Sequence, residues 1–175
     1  MSKIYLDTAA ATPVDKRVIK IMQPFWSRQF GNPSSIHSWG VAAARALIIA
    51  RRQAADFLGA HPDEIIFTSG ATEANNLTLA GVIKSATGGL IISAIEHPSV
   101  LEPARILVVY QLFILPVNTD GLVDADVLAK MLNSNTRLVS IILANHEIGT
   151  IQNWHEIARA VRRWRQTSNS RWPLL

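Results

Sequence analysis

Short apolar runs that alternate with helical stretches constrain this chain more than any other feature. Residues 64–68, 90–94, 112–117 and 138–143 read as strands, and residues 72–86, 100–109, 125–132 and 155–164 read as helices. Strands covered on both faces run apolar throughout, and a chain that repeats strand, helix, strand lays its strands parallel with helices on both faces. The expected fold is therefore α/β, a three-layer, mostly parallel sheet flanked by helices. In such sheets ligands sit beyond the carboxyl ends of the strands. Three segments that follow strands are expected to converge there: Gly70-Ala71-Thr72-Glu73, Glu96-His97-Pro98 and Asn145-His146-Glu147-Ile148-Gly149.

The first third of the chain is organised differently. Residues 4–7 read as a strand, and residues 14–26 as a helix with Val18, Ile19, Met22 and Phe25 on one face. Residues 30–38, rich in Gly, Asn, Pro and Ser, read as a loop; residues 41–58 form an Ala-rich helix stopped by Gly59. Beyond about Arg163 the alternation fades, and no further parallel strand is expected. The domain reading places one α/β domain over residues 1–160 and a basic tail over 161–175.

Charge follows the same division. The net charge is +4, but Arg159, Arg162, Arg163, Arg165 and Arg171 all follow Glu156, after which no acidic residue occurs. Without those five the rest of the chain is close to neutral. The basic character thus belongs to the tail, which lacks the interleaved aromatic pattern of a nucleic-acid binder, and no nucleic-acid partner is expected. No apolar run is long enough to span a bilayer and no signal-peptide pattern opens the chain, so a soluble, cytoplasmic protein without a membrane partner is expected. With no cysteine, the chain carries no disulfide, thiolate metal site or thiol nucleophile. Among the five histidines, His155-Glu156-Ile157-Ala158-Arg159 starts like a zincin helix, but Arg159 stands where the second histidine is needed. No metal site is expected. Neither a P-loop nor a G-x-G-x-x-G turn occurs.

The turn at Gly70-Ala71-Thr72 is the strongest chemical signal. Free N–H groups at a helix start, reinforced by the helix dipole, attract anions, and small residues let a phosphate approach the backbone. An ordinary strand-to-helix connection capped by Thr68 or Ser69 is the alternative. His97 after a strand is either a structural hydrogen-bonding residue or a ring placed to stack and to relay protons near neutral pH.

Taken in order, Phe30-Gly31-Asn32-Pro33-Ser34-Ser35, Gly70-Ala71-Thr72-Glu73, Glu96-His97-Pro98-Ser99-Val100 and Asn145-His146-Glu147-Ile148-Gly149 resemble the N-terminal half of the cysteine desulfurases. These are class V aminotransferase-like enzymes that use pyridoxal 5'-phosphate (PLP). The resemblance runs from about Ile4 to about Ala160 and covers less than half of a full-length member. It implies the N-terminal part of the large domain of a fold-type I PLP-dependent transferase, truncated. It implies that Gly70, Ala71 and Thr72 hold the PLP phosphate, that His97 stacks on the pyridine ring and relays protons as the catalytic residue, and that Asn145 and His146 lie at the cofactor. The family usually has a second asparagine at position 146. Asp7-Thr8-Ala9-Ala10 and Asn32-Pro33-Ser34-Ser35 match segments that line the substrate entrance and the subunit contact.

The implied activity is release of sulfur from L-cysteine to give alanine and a persulfide, for iron–sulfur cluster or thio-cofactor supply. A homodimer and sulfur-acceptor proteins are the implied partners. The family's pyridine-pairing Asp, Schiff-base Lys and persulfide Cys have no counterpart here: Lys3, Lys16, Lys20, Lys84 and Lys130 all lack a His-Lys setting. The chain alone is therefore expected to be inactive, as the product of a truncated or frame-shifted gene. Three alternatives stay open: a fragment of another class V enzyme such as a selenocysteine lyase or an aminotransferase, a non-catalytic remnant that binds a full-length homologue, and a misfolded product.

Overall fold

A computed structural model describes residues 3–85, 88–107 and 111–175. The chain divides into two compact units, residues 1–67 and 68–175.

In the first unit, helix α1 (Lys16–Ser27) starts at Asp15, whose carboxylate accepts the Arg17 N–H at 2.7 Å. Helix α2 (Ser38–Leu58) starts at His37, whose Nδ1 accepts from the Gly40 N–H, and ends at Gly59 in the left-handed region with φ 65°. Between them the 30–36 loop lies directly on the first turn of α2. A Cβ at Gly31 would fall 2.3 Å from the Trp39 carbonyl oxygen, and one at Gly40 would fall 2.2 Å from the Ser35 carbonyl oxygen. Those two glycines are what this crossing needs.

Two strands expected in this region do not form. Residues 3–7 are exposed and lead into a turn, with the Ala10 N–H donating to the Asp7 carbonyl. Residues 62–64 form a 3-10 turn capped by His61, and residues 65–68 are extended with no strand partner among the described residues. The polar, Pro-containing lead-in Pro62-Asp63-Glu64 satisfies its donors locally, the Asp63 N–H on His61 Nδ1 and the Glu64 N–H on the His61 carbonyl, rather than through a ladder.

The second unit follows the expected alternation: α3 (Ala71–Ser85), β1 (Gly89–Ser93), α4 (Pro98–Leu107), β2 (Leu112–Leu115), α5 (Ala125–Met131), β3 (Thr136–Ser140) and α6 (Trp154–Thr167). Residue 86 of the first expected helix and residues 108 and 109 of the second lie outside the described residues. The sheet is parallel in the order β2-β1-β3, with Leu90 opposite both Leu112 and Leu138. β2 and β3 are shorter than expected at their carboxyl ends. Val117 instead makes an isolated antiparallel bridge to Val123, and the chain after Ser140 leaves the ladder to build the 141–152 loop.

β1 is buried along its whole length and separates two cores. Leu90 and Ile92 face one, with Leu79 and Val82 of α3, Val100 and Ala104 of α4, and Leu138. Ile91 faces the other, with Leu115, Leu128, Val139, Ile157 and Val161. Two-residue alternation along a strand produces this split, and covering each such side chain contributes about 1.5–3 kcal/mol.

No strand follows β3 among the described residues, yet the end of the chain packs against the sheet. Helix α6 continues to Thr167, and Leu174 returns beside β3 as one parallel rung, its N–H donating to the Arg137 carbonyl and its carbonyl accepting from the Val139 N–H. Side chains that looked merely basic and aromatic make this return. The Arg165 guanidinium donates to the Pro173 carbonyl. Trp172 packs on the first core while Arg137 and Arg171 lie over its ring.

Candidate functional site

The connection leaving β1 passes through α4 to β2 on one side, whereas the connection leaving β3 passes through α6 to Leu174 on the other. Between β1 and β3 the chain therefore diverges in opposite directions, the switch point at whose carboxyl ends open α/β sheets form their ligand crevice. His97 follows β1, and Asn145 and His146 follow β3.

Two clamps hold the rims of this crevice together. The Glu96 carboxylate accepts the Ser93 hydroxyl at 2.7 Å and the Ile142 N–H at 2.6 Å. Burial pushes the Glu96 carboxyl above its ordinary value of 4.5, while hydrogen bonds from Ser93, Ile142 and Ser140 pull the other way. The buried Asn145 side chain donates through Nδ2 to the Ile95 carbonyl at 3.0 Å, and its Oδ1 accepts the Glu147 and Ile148 N–H groups. Both ends of the Asn145 amide are thus engaged in bracing one loop on the other. Gln152, also buried, ties the same loop to residues 121–123 through the Gly121 carbonyl and the Val123 N–H.

His97 and His146 stand at the exposed mouth, their ring centroids 5.1 Å apart and their planes tilted by 56°. His97 ends the approach to α4 and caps it: its Nδ1 accepts the Ser99 N–H at 3.0 Å and lies 2.8 Å from the Ser99 hydroxyl. The Ser99 hydroxyl in turn accepts from Asn75 Nδ2 at 2.8 Å. Ser99 and Asn75 were not singled out from the sequence. A serine two residues after His97 is a capping signal, but its long-range partner 24 positions earlier leaves no local pattern.

Gly70, Ala71 and Thr72 open α3, all exposed. The Ala74 N–H is bonded to the Gly70 carbonyl, and the Ser69 N–H is taken by the Glu73 carboxylate at 2.6 Å, which holds that carboxyl below its ordinary range. The backbone N–H groups at 71–73 precede the helical ladder and have no helical acceptor. A Cβ at Gly70 would meet nothing within 4 Å, so the approach to this helix start is open. No strand precedes the turn. α3 is joined to the crevice through its Asn75–Ser99 bond and the core it shares with α4.

The structure thus brings His97, Asn145 and His146 together, and joins the helix that carries Gly70, Ala71 and Thr72 to them. Asn32 and its neighbours lie in the other unit, where the Asn32 side chain accepts the Ser34 N–H. Among the described residues no helix is long and apolar enough to cross a membrane.

Comparison with known proteins agrees with this architecture. The family model for Aminotransferase class-V matches residues 4–167. The chain belongs to the class V aminotransferase family. Among curated members, cysteine desulfurase IscS of Dictyoglomus turgidum is 44% identical over 167 residues, covering 93% of this chain and 42% of that protein. The mitosomal cysteine desulfurase of Trachipleistophora hominis is 43% identical over 170 residues, covering 90% and 38%. Among solved structures, a NifS-like protein superposes with a TM-score of 0.87 at 38% identity, over 93% of this chain and 46% of its own. SspA in complex with cysteine gives 0.83 at 36% identity, over 91% and 48%. As a class V aminotransferase relative, the chain spans less than half the length of the proteins it matches.

Proposed function

We propose that this chain is the cofactor-holding N-terminal portion of a cysteine desulfurase, which releases sulfur from L-cysteine as a persulfide and leaves alanine. The observation that supports this reading is the juxtaposition of His97 with the 145–149 loop at the crevice, on a fold shared with a protein of that name. The similarity to a structure holding cysteine favours cysteine as the amino acid.

The residues present fit PLP in two respects. The start of α3 offers backbone donors and the Thr72 hydroxyl to a phosphate, with open space above Gly70. The exposed His97 ring, steadied at Nδ1, offers a flat face and a free Nε2 end to the pyridine. In this reading Ala71 and Thr72 bind the phosphate and Gly70 leaves room for it. His97 orients the ring and holds a proton at Nε2. Asn145 braces the loop, and His146 stands beside the cofactor. PLP supplies an electron sink for bonds at the amino acid's Cα. Covalent anchoring needs a lysine in a setting these 175 residues lack, and sulfur acceptance needs a thiol, of which they have none. The chain by itself is therefore without desulfurase activity; acceptor proteins, a homodimer and a cytoplasmic setting belong to the whole enzyme in this proposal.

Absorbance titration of the pure chain with PLP tests this. Reversible binding is expected, weakened about tenfold in Thr72→Ala by loss of a hydrogen bond to a charged group. Indifference of PLP affinity to Thr72→Ala removes the phosphate assignment. Alanine release from cysteine by the pure chain overturns the claim of inactivity. A second reading, a chain that pairs with a full-length homologue, is favoured by α1, none of whose residues is buried. Co-purification with a co-expressed homologue tests that reading.

A further inference from the structure

We propose that Ser99, held by Asn75, is a positioning residue that fixes the His97 imidazole as its Nε2–H tautomer, so that the open end of the ring is a hydrogen-bond donor. The proton directions follow from the groups present. An asparagine Nδ2 only donates, so the Ser99 hydroxyl, 2.8 Å away, accepts from Asn75. Its own proton is then free to point at His97 Nδ1, also at 2.8 Å. The Ser99 backbone N–H, 3.0 Å from the same nitrogen, only donates as well. Two donors converge on Nδ1, which must present its lone pair, and the neutral ring carries its proton on Nε2. Ser99 is buried and Asn75 half-buried, so water competes little for these bonds.

The arrangement decides what the crevice mouth recognises. An imidazole that binds a metal through Nε2 keeps a proton on Nδ1 and donates it outward. The two donors at Nδ1 oppose that form, so the adjacent His97 and His146 rings are not a metal pair. A neutral His97 instead offers Nε2–H to an anionic oxygen, whether carboxylate, phenolate or phosphate. It takes up a proton at Nε2 only after giving one away there. The inference rests on the function proposed above only for the identity of the group that His97 meets.

Long-range proton–nitrogen correlation spectra of the ¹⁵N-labelled, cofactor-free chain, recorded where imidazole is neutral, read the tautomer directly. The Nε2–H form is expected to dominate in the parent. Ser99→Ala should raise the share of the Nδ1–H form about fivefold, the worth of one hydroxyl hydrogen bond, and Ser99→Thr should restore the parent ratio. A merely structural serine would leave the ratio unmoved. Asn75→Asp gives the same readout should Ser99→Ala fail to fold: a carboxylate accepts the Ser99 proton and draws it away from Nδ1. A parent ring protonated on Nδ1, or a ratio unchanged in both Ser99→Ala and Asn75→Asp, overturns the assignment. Spectra repeated with PLP read the cofactor separately. A ratio that rises in Ser99→Ala supports the relay whether or not PLP shifts the His97 signals.

Discussion

Helix α1 and strand β1 are both rich in apolar side chains, yet they bury opposite amounts. In β1, Leu90, Ile91 and Ile92 are each 0% exposed, shared between two cores built by the four helices around them. In α1 the stripe of Val18, Ile19, Met22 and Phe25 has the expected spacing, yet Phe25 remains 41% exposed and no residue of the helix is buried. An amphipathic pattern states which face needs cover. It does not supply the cover. The two cores around β1 are closed by elements of residues 68–175 alone, whereas α1 presents an apolar face that nothing described in residues 1–67 encloses.

The largest effect that sharpens this contrast is expected from truncating the strand. Ile91→Ala should cost about 2–5 kcal/mol in denaturant unfolding, as a cavity in a closed core, whereas Phe25→Ala should stay within about 0.5 kcal/mol, as at an exposed surface. Equal losses would erase the contrast. Next comes the one tight crossing of the first unit. Gly40→Ala places a methyl against the Ser35 carbonyl and should cost about 1–3 kcal/mol, read by the same unfolding curves. A neutral result there would mean that the 30–36 loop lifts freely from α2. A smaller loss, about 1 kcal/mol, is expected for Asp124→Ala, because Asp124 accepts the Asp126 and Val127 N–H groups at the start of α5.

How much of this was legible in the sequence tracks the same contrast. Strands 90–94 and 138–143 could be read because a doubly covered strand must be apolar throughout, and the strands found overlap those runs. Residues 4–7 and 64–68 have strand-like composition, but composition carries no information on whether a partner is present, and none pairs with them among the described residues. The packing of the tail is hidden in the sequence for the converse reason. Arg165 and Trp172 look like solvated and irregular residues until the Pro173 carbonyl and the first core come within reach. At the site, the strand-then-loop rule located His97 and Asn145. The hydrogen bonds of Glu96 with Ile142 and of Ser99 with Asn75 join positions 46 and 24 apart, which no local pattern records.

The smallest predicted effect concerns Glu96. Its carboxyl is raised in the folded state, so the fold binds that proton more tightly than the unfolded chain does. Its contribution is fully present below the unfolded value of 4.5 and is lost as pH rises through the folded value. Glu96→Gln keeps an acceptor for Ser93 and Ile142 but cannot ionise. Relative to the parent, its melting temperature should therefore climb as pH is raised from about 4 through the weakly acidic range. A parent that instead gains on the variant over that range would mean that the carboxylate is a net stabiliser, and would reverse the sign assigned to burial.

The bond between Asn145 and the Ile95 carbonyl joins positions 50 apart in the chain. Closing so long a loop costs entropy that nearby contacts do not repay, and non-local pairings of this kind slow folding. The crevice therefore exists only where both rims are in place. Any molecule that needs both rims binds the folded sheet and by mass action draws the folding equilibrium toward it.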